Sequence, residues 1–222
     1  MKLYLSLLSL LFINVSCKNA TEQNPADNEM AMKNPIQTPV QDGMEHAYFA
    51  SGCFWCVEAV YESVKGVDEA ISGYSGGTQP NPTYEQVGAG NTDHAESVEV
   101  IYDSNVVSYQ TLVNVFFGSQ DPTTANRQGP DRGTQYRSIA FYQNNEEKQI
   151  IENTIKRLNE STFDGKIVTQ VLPFQKFWEA EGYHQNYERN NMDNPYIKSV
   201  SIPRMNRFKK KFPELLKETA TH

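Results

Sequence analysis

Residues 95–102 alternate along the chain, with Val98, Val100 and Tyr102 on one face and Ser97, Glu99 and Ile101 on the other, the period of a strand. Two further strands are predicted at residues 46–51 and 67–74. Between them, residues 53–64 place Val57, Val60, Tyr61 and Val64 along one side of a helix. Ser108 stands where it can cap a second helix, which carries Leu112, Val115 and Phe116 and ends near Gly118. Residues 75–93, rich in Gly, Pro and Asn, read as a loop. A strand at 135–142, a helix at about 145–158 and a strand at 167–172 follow, and then an irregular aromatic-rich extension. This is the β-α-β-β-α-β order of a split βαβ or ferredoxin-like core. The expected fold class is therefore α/β, a two-layer α+β sandwich with a mainly antiparallel sheet.

Outside this region the pattern changes. Residues 3–13 form an apolar run broken only by Ser6 and Ser9. It is far shorter than the ~20 residues that span a bilayer, and it follows Lys2, as the apolar part of an export signal does. The run closes on Asn14-Val15-Ser16-Cys17, which resembles a bacterial lipobox except that Asn14 replaces the usual apolar residue. Residues 1–16 are read as a lipoprotein-type export signal and Cys17 as the lipid anchor. Residues 17–45 hold no aromatic side chain and no apolar periodicity, so a flexible tether is expected there. The globular part is expected over residues 46–213, with a short tail at 214–222.

Composition narrows the function classes. Twelve Tyr, 11 Phe and 2 Trp in 222 residues argue for a packed core and aromatic-lined surfaces. A mean hydropathy of -0.61 is unlike that of a polytopic membrane protein. A net charge of -7, which becomes -8 once the signal and its Lys2 are removed, disfavours a nucleic-acid binder held by phosphate contacts. With three cysteines, the chain is no disulfide-stapled miniprotein.

The chemistry concentrates at Ser51-Gly52-Cys53-Phe54-Trp55-Cys56-Val57-Glu58. A strand ends, Gly52 permits a tight turn, and Cys53 falls at the start of a helix, where unpaired N–H groups and the dipole favour a thiolate. Cys56 follows one turn later on the same face, within reach of a disulfide. A zinc site would need two further ligands from His46, His94, His184 and His222, and none of these is paired in spacing. No metal is expected, and a redox pair is the favoured reading.

Gly52-Cys53-Phe54-Trp55-x-x-Glu58 resembles the signature of the A-type peptide methionine sulfoxide reductases. Further stretches are similar to that family in the same order over about residues 46–205: Gly73-Tyr74-x-Gly76-Gly77, Pro80-Asn81-Pro82-Thr83-Tyr84, His94-Ala95-Glu96, Asp131-x-Gly133-Thr134-Gln135-Tyr136-Arg137-Ser138 and Tyr183-His184-Gln185-x-Tyr187. The resemblance implies that Cys53 attacks the sulfoxide sulfur and that Glu96 supplies the proton. It also implies that Tyr84 and Tyr136 bind the oxygen, Asp131 supports the site, and Phe54 and Trp55 hold the methyl group. Cys53 would become a sulfenic acid, condense with Cys56 to a disulfide, and be restored by an external thioredoxin-like dithiol, with no bound cofactor. Preference for the S epimer is implied by the resemblance alone. Many members carry Gly where this chain has Cys56 and keep resolving cysteines in a C-terminal tail, whereas no cysteine follows Cys56 here.

Substrates under this reading are oxidised methionines in proteins and free methionine sulfoxide, in a bacterial cell envelope, and the protein is expected to be a monomer that meets the membrane only through its anchor. Two other readings stay open. A general thiol–disulfide oxidoreductase would suit a CxxC at a helix start but has no need of Glu96, Tyr84 or Tyr136. A tethered lipoprotein that binds oxidised or apolar peptides would use the aromatics without turnover. The run Lys209-Lys210-Lys211 reads as the solvated face of a terminal helix.

Overall fold

The computed structural model describes residues 33–220; the residues read as an export signal, Cys17 and most of the expected tether lie outside them. The chain runs β1 (Glu45–Ser51), α1 (Phe54–Glu62), β2 (Val67–Ser75), α2 (Tyr84–Gly88), β3 (Ala95–Tyr102) and α3 (Tyr109–Gly118). After a two-residue hairpin, β4 (Arg127–Gln128) and β5 (Asp131–Arg132), come β6 (Ser138–Tyr142), α4 (Asn145–Leu158), β7 (Gln170–Pro173) and β8 (Trp178–Glu179). Two short helical segments, α5 (Tyr187–Asn190) and α6 (Ile202–Lys211), complete it.

The main sheet has the order β7-β6-β1-β3-β2-β8. Its four inner strands are those of the split βαβ, with β3 inserted between β1 and β2 and antiparallel to both. Only β7, which runs parallel to β6, departs from the antiparallel pattern within this sheet. The α/β expectation therefore holds, and the alternation read in the sequence lays out the two faces. Phe49, Val98, Val100, Tyr102 and Ala140 turn toward α1, α3, α4 and α6 and are almost wholly buried. Each large apolar side chain so enclosed contributes about 1.5–3 kcal/mol. Tyr48, Ala50, Ile139 and Phe141 face the other way into a smaller cluster, where the Tyr48 and Phe174 rings stack at 3.7 Å.

Two local choices set the geometry of the site. Gly52 has φ +84°, and a Cβ there would meet Gln128 Cβ at 2.5 Å, so a side chain is excluded where the strand turns into α1. Gly73 in β2 would drive a Cβ to 2.3 Å from the Phe177 ring; its absence lets β8 pair with β2. Several local differences from the sequence reading are visible. The loop at 75–93 contains α2, which opens on a reciprocal capping box of Thr83 and Gln86. The strand expected at 135–142 starts only at Ser138. Thr134–Tyr136 is a 3-10 turn, and Arg137 Nη1 donates to the Thr134 carbonyl. Helix α1 ends at Glu62 rather than Val64, because the N–H of Ser63 already closes on Val60 and Val64 turns to pair with Leu216.

Both flanks of the expected globular part are in contact with it. The Ile36 N–H donates to the Phe174 carbonyl at 2.8 Å, and the Thr38 N–H to Gln143 Oε1 at 2.6 Å. At the other end Leu216 is buried and the Lys217 N–H donates to the Ser63 carbonyl. Among the described residues, no helix is long and apolar enough to cross a membrane.

Candidate active site

Cys53 is the N-cap of α1, and its side chain makes no capping bond. The first N–H of the helix is instead taken up from across the sheet: Phe54 N–H donates to Glu96 Oε2 at 3.0 Å. Glu96 occupies the first even position of β3, opposite Tyr74, and so continues the stripe of Val98, Val100 and Tyr102 toward the helices. It is only 2% exposed. Burial pushes its carboxyl up to about 8 against the pull of the Phe54 N–H, with the charges of Asp131 and Cys56 adding to the rise. At neutral pH Glu96 is thus mostly a neutral acid beside the cysteine.

The two thiols are buried, are not joined in a disulfide, and act on each other's proton affinity. Burial pushes Cys53 up, and the neighbouring Cys56 adds to it. Cys56 is drawn below the ordinary thiol range, first by the hydrogen bond from Cys53 and then by Arg204, Ser201 and Tyr196. The anion belongs to the pair: the first proton leaves readily and the second with difficulty. Transfer of the shared proton to Cys56 puts the thiolate on Cys53, at the positive end of α1.

Aromatic side chains enclose this centre. Phe54 is buried against Tyr84, Tyr74 and His184, with the last ring 5.0 Å away. Trp55 stacks on Tyr187 at 3.8 Å and donates Nε1–H to His184 Nδ1 at 3.1 Å. Tyr84 opens α2 and Tyr136 closes the 3-10 turn, and the charges of Glu96 and Cys53 act on both phenols. Burial raises Tyr84 to about 12 and raises Tyr136 as well, so both are O–H donors at any working pH. Tyr74 and Tyr196 are committed to Glu181 and Asp131, whereas no described group engages the hydroxyl of Tyr84 or Tyr136. Asp131 stands on β5, accepting from Tyr196 O–H at 2.6 Å, and its charge acts on Glu96 and Tyr136. The structure thus gathers Cys53, Cys56, Phe54, Trp55, Tyr84, Glu96, Asp131 and Tyr136 around one end of α1; Cys17 lies outside the described residues. This is a soft nucleophile, a neutral acid and two unengaged donors, suited to an oxygen that must leave a sulfur atom. No group of three or more His, Cys, Asp or Glu side chains among the described residues has a metal-holding arrangement.

The sequence model of the family described as Peptide methionine sulfoxide reductase matches residues 45–216. The chain belongs to that family. A peptide methionine sulfoxide reductase MsrA of Saccharolobus solfataricus is 48% identical over 174 residues, covering 78% of this chain and 98% of the relative. One from Pasteurella multocida is 48% identical over 173 residues, with coverages of 78% and 99%. Among solved structures, Mxr1 from Saccharomyces cerevisiae in reduced form is similar at 32% identity, with a TM-score of 0.65 over 73% of this chain and 92% of that one. Methionine sulfoxide reductase A of Corynebacterium diphtheriae is similar at 34% identity and a TM-score of 0.62, over 72% and 83%.

This methionine sulfoxide reductase is an oxidoreductase acting on peptide methionine (S)-S-oxide. Its centre includes residues to which sequence reading assigned no role. Arg204, buried on α6, donates to the Ser51 carbonyl and hydroxyl at 3.0 Å each and to the Ser119 carbonyl at 2.7 Å. It thereby holds the backbone directly before Gly52-Cys53. Tyr196 bridges Asp131 and Cys56, its hydroxyl 3.9 Å from the Cys56 sulfur. Glu58, five residues after Cys53 on the buried side of α1, accepts from Ser72 Oγ and the Asn186 N–H, and so ties α1 to β2 and to the extension. Glu58 and His184 stood in quoted motifs and carried a signal. Arg204 and Tyr196 carried none, since nothing local separates Arg204 from the exposed Arg207 on the same helix.

Proposed function

We propose that this reductase works through a sulfenic acid on Cys53 and a Cys53–Cys56 disulfide. The observation that carries this reading is the placement of the Cys53–Cys56 thiol pair beside the neutral Glu96 carboxyl, joined through the Phe54 N–H. The Cys53 thiolate attacks the sulfoxide sulfur while Glu96, with Tyr84 and Tyr136 on the oxygen, delivers a proton. The oxygen passes to Cys53 as a sulfenic acid and methionine is released. Attack by the Cys56 thiolate on that sulfur breaks the S–O bond and forms the disulfide, and the departing hydroxide takes up a proton to leave as water. A thioredoxin-like dithiol then donates two electrons and two protons, leaving as its own disulfide. Cys56, buried one helical turn from Cys53, is the resolving thiol.

The export-type N-terminus and Cys17 support a site of action in a bacterial cell envelope, with the protein tethered by lipid as a monomer and repairing oxidised methionines of envelope proteins as well as free methionine sulfoxide. Turnover of the two separated sulfoxide epimers with dithiothreitol, in wild type and Cys53→Ser, tests the chemistry. Consumption of the S epimer alone, abolished in the variant, is expected; turnover surviving in Cys53→Ser would refute it. Membrane fractionation of wild type and Cys17→Ala tests the anchor, with release of the variant into the soluble fraction expected.

A further inference from the structure

Phe54, Trp55, Tyr84, Glu96 and Tyr136 are the groups assigned to the sulfoxide. Next to them a cavity of 170 Å³ opens onto Cys56, between Asp131 with Tyr196, whose ring meets Trp55 edge-on at 6.1 Å, and the start of α6 at Pro203 and Arg204. Neither Cys53 nor any of the sulfoxide-binding aromatics lines it.

That cavity does not end at Cys56. Gln128, Gly129, Arg204 and Arg207 line it and also a larger cleft of 460 Å³ that continues between the end of α3 and the α6 face. The cleft collects Arg127, Arg204, Arg207 and Lys211 against a single carboxylate, Asp121. On α6, residues 204, 207 and 211 recur on one helical face, so the clustering is a property of the helix as folded. Arg204 is spent on Ser51 and Ser119, but no ion pair among the described residues holds Arg127, Arg207 or Lys211. Gln120 Nε2 is buried in the same cleft with no hydrogen-bond partner. Cations and a spare N–H donor thus line a cleft that runs into the cavity at the resolving cysteine, in a chain of net charge -7.

We infer that this basic cleft is the docking surface for the recycling reductant, a dithiol protein with an acidic rim around its reactive cysteine, which attacks Cys56. The inference rests on the disulfide-recycling reading above. The reductant's thiolate bonds to the Cys56 sulfur and the Cys53–Cys56 bond breaks; Cys53 leaves as a thiolate at the start of α1, where the positive end of the helix dipole favours it, and is then protonated. The partner's second thiol attacks its own sulfur in the mixed disulfide, Cys56 leaves and takes up a proton, and the partner departs oxidised. None of the cleft's cations is a group assigned to the sulfoxide, so the cleft serves electrostatic steering of the reductant.

The test uses the full chain, free methionine-S-sulfoxide and an acidic thioredoxin kept reduced by its NADPH-dependent reductase, with dithiothreitol as the parallel reductant. In Arg127→Glu/Arg207→Glu/Lys211→Glu, the KM for thioredoxin is expected to rise about tenfold or more while dithiothreitol-driven turnover stays within about twofold. In wild type, the KM for thioredoxin rises with salt, and that dependence is lost in the variant. A thioredoxin whose second cysteine is Ser, added to the oxidised enzyme, is expected to be trapped on Cys56 by peptide mapping. An unchanged thioredoxin KM in the triple variant, a salt-independent KM in wild type, or trapping on Cys53 would each overturn the inference. The salt series needs no variant and decides the matter if the triple variant misfolds. Wild type inactive with both reductants would overturn the underlying recycling reading instead.

Discussion

Glu96→Gln isolates the proton that the reaction needs. An unperturbed Glu with a pKa near 4.3 is about 0.2% protonated at pH 7. With its carboxyl at about 8, Glu96 is roughly nine-tenths protonated there. Burial on the helix side of β3 therefore enlarges the population of the acid by a factor of several hundred. Gln keeps a carbonyl oxygen to accept the Phe54 N–H, so α1 starts as before. What it loses is the transferable proton, and general acid catalysis is worth about 10²–10⁴-fold. The assay is single-turnover consumption of free methionine-S-sulfoxide by prereduced enzyme as a function of pH. Wild type gives a bell. Its rising limb reports the first ionisation of the thiol pair, below the ordinary thiol range; its falling limb, near 8, reports loss of the Glu96 proton. Glu96→Gln should fall by about two to four orders of magnitude and keep the rising limb but lose the falling one. A loss under about tenfold in a folded variant, or an intact falling limb, would refute the assignment of Glu96 as the acid.

Cys56→Ser should complete one turnover and stop at a Cys53 sulfenic acid, which dimedone labels; thioredoxin-driven cycling is expected to be absent, and steady cycling at the wild-type rate would contradict the resolving role. Arg204→Met removes the donors that satisfy the Ser51 and Ser119 carbonyls and should destabilise the fold by roughly 2–5 kcal/mol in urea denaturation, since each orphaned buried acceptor costs about 1–3 kcal/mol. Stability should also depend on pH through three carboxyls whose burial raises them in the folded state, Glu58 and Glu147 to about 7 and Glu96 to about 8. The folded form holds their protons more tightly than the unfolded chain does, so their contribution is complete below the unfolded value near 4.5 and declines as pH rises through about 8. Denaturant midpoints that rise over that window would contradict the burial argument, and Glu58→Gln should flatten the decline.

Much of this molecule is legible in one dimension because its signals are local. The strand at 95–102 and the helix at 145–158 are bounded in the structure where their periods and caps place them; Asn144 and Ser108 accept the backbone N–H groups that open α4 and α3. The placement of Cys53 at a helix start and of Cys56 one turn on depends only on a strand, a glycine and a helical period. The motifs also carried the family and its chemistry, because their residues recur in order along the chain. Tertiary structure decided what those residues face. Glu96 meets the Phe54 N–H across a separation of 42 residues, and only the pairing of β3 with β1 and β2 makes it a buried, neutral acid. Arg204 reaches Ser51 across 153 residues, and its exposed neighbour Arg207 has the same sequence character. Period and propensity report the backbone within a turn or two. Burial, and with it the proton affinity of a carboxyl and the partner of a guanidinium, depends on which distant segments cover a side chain, and that exists only once the sheet is closed by its helices and its C-terminal extension.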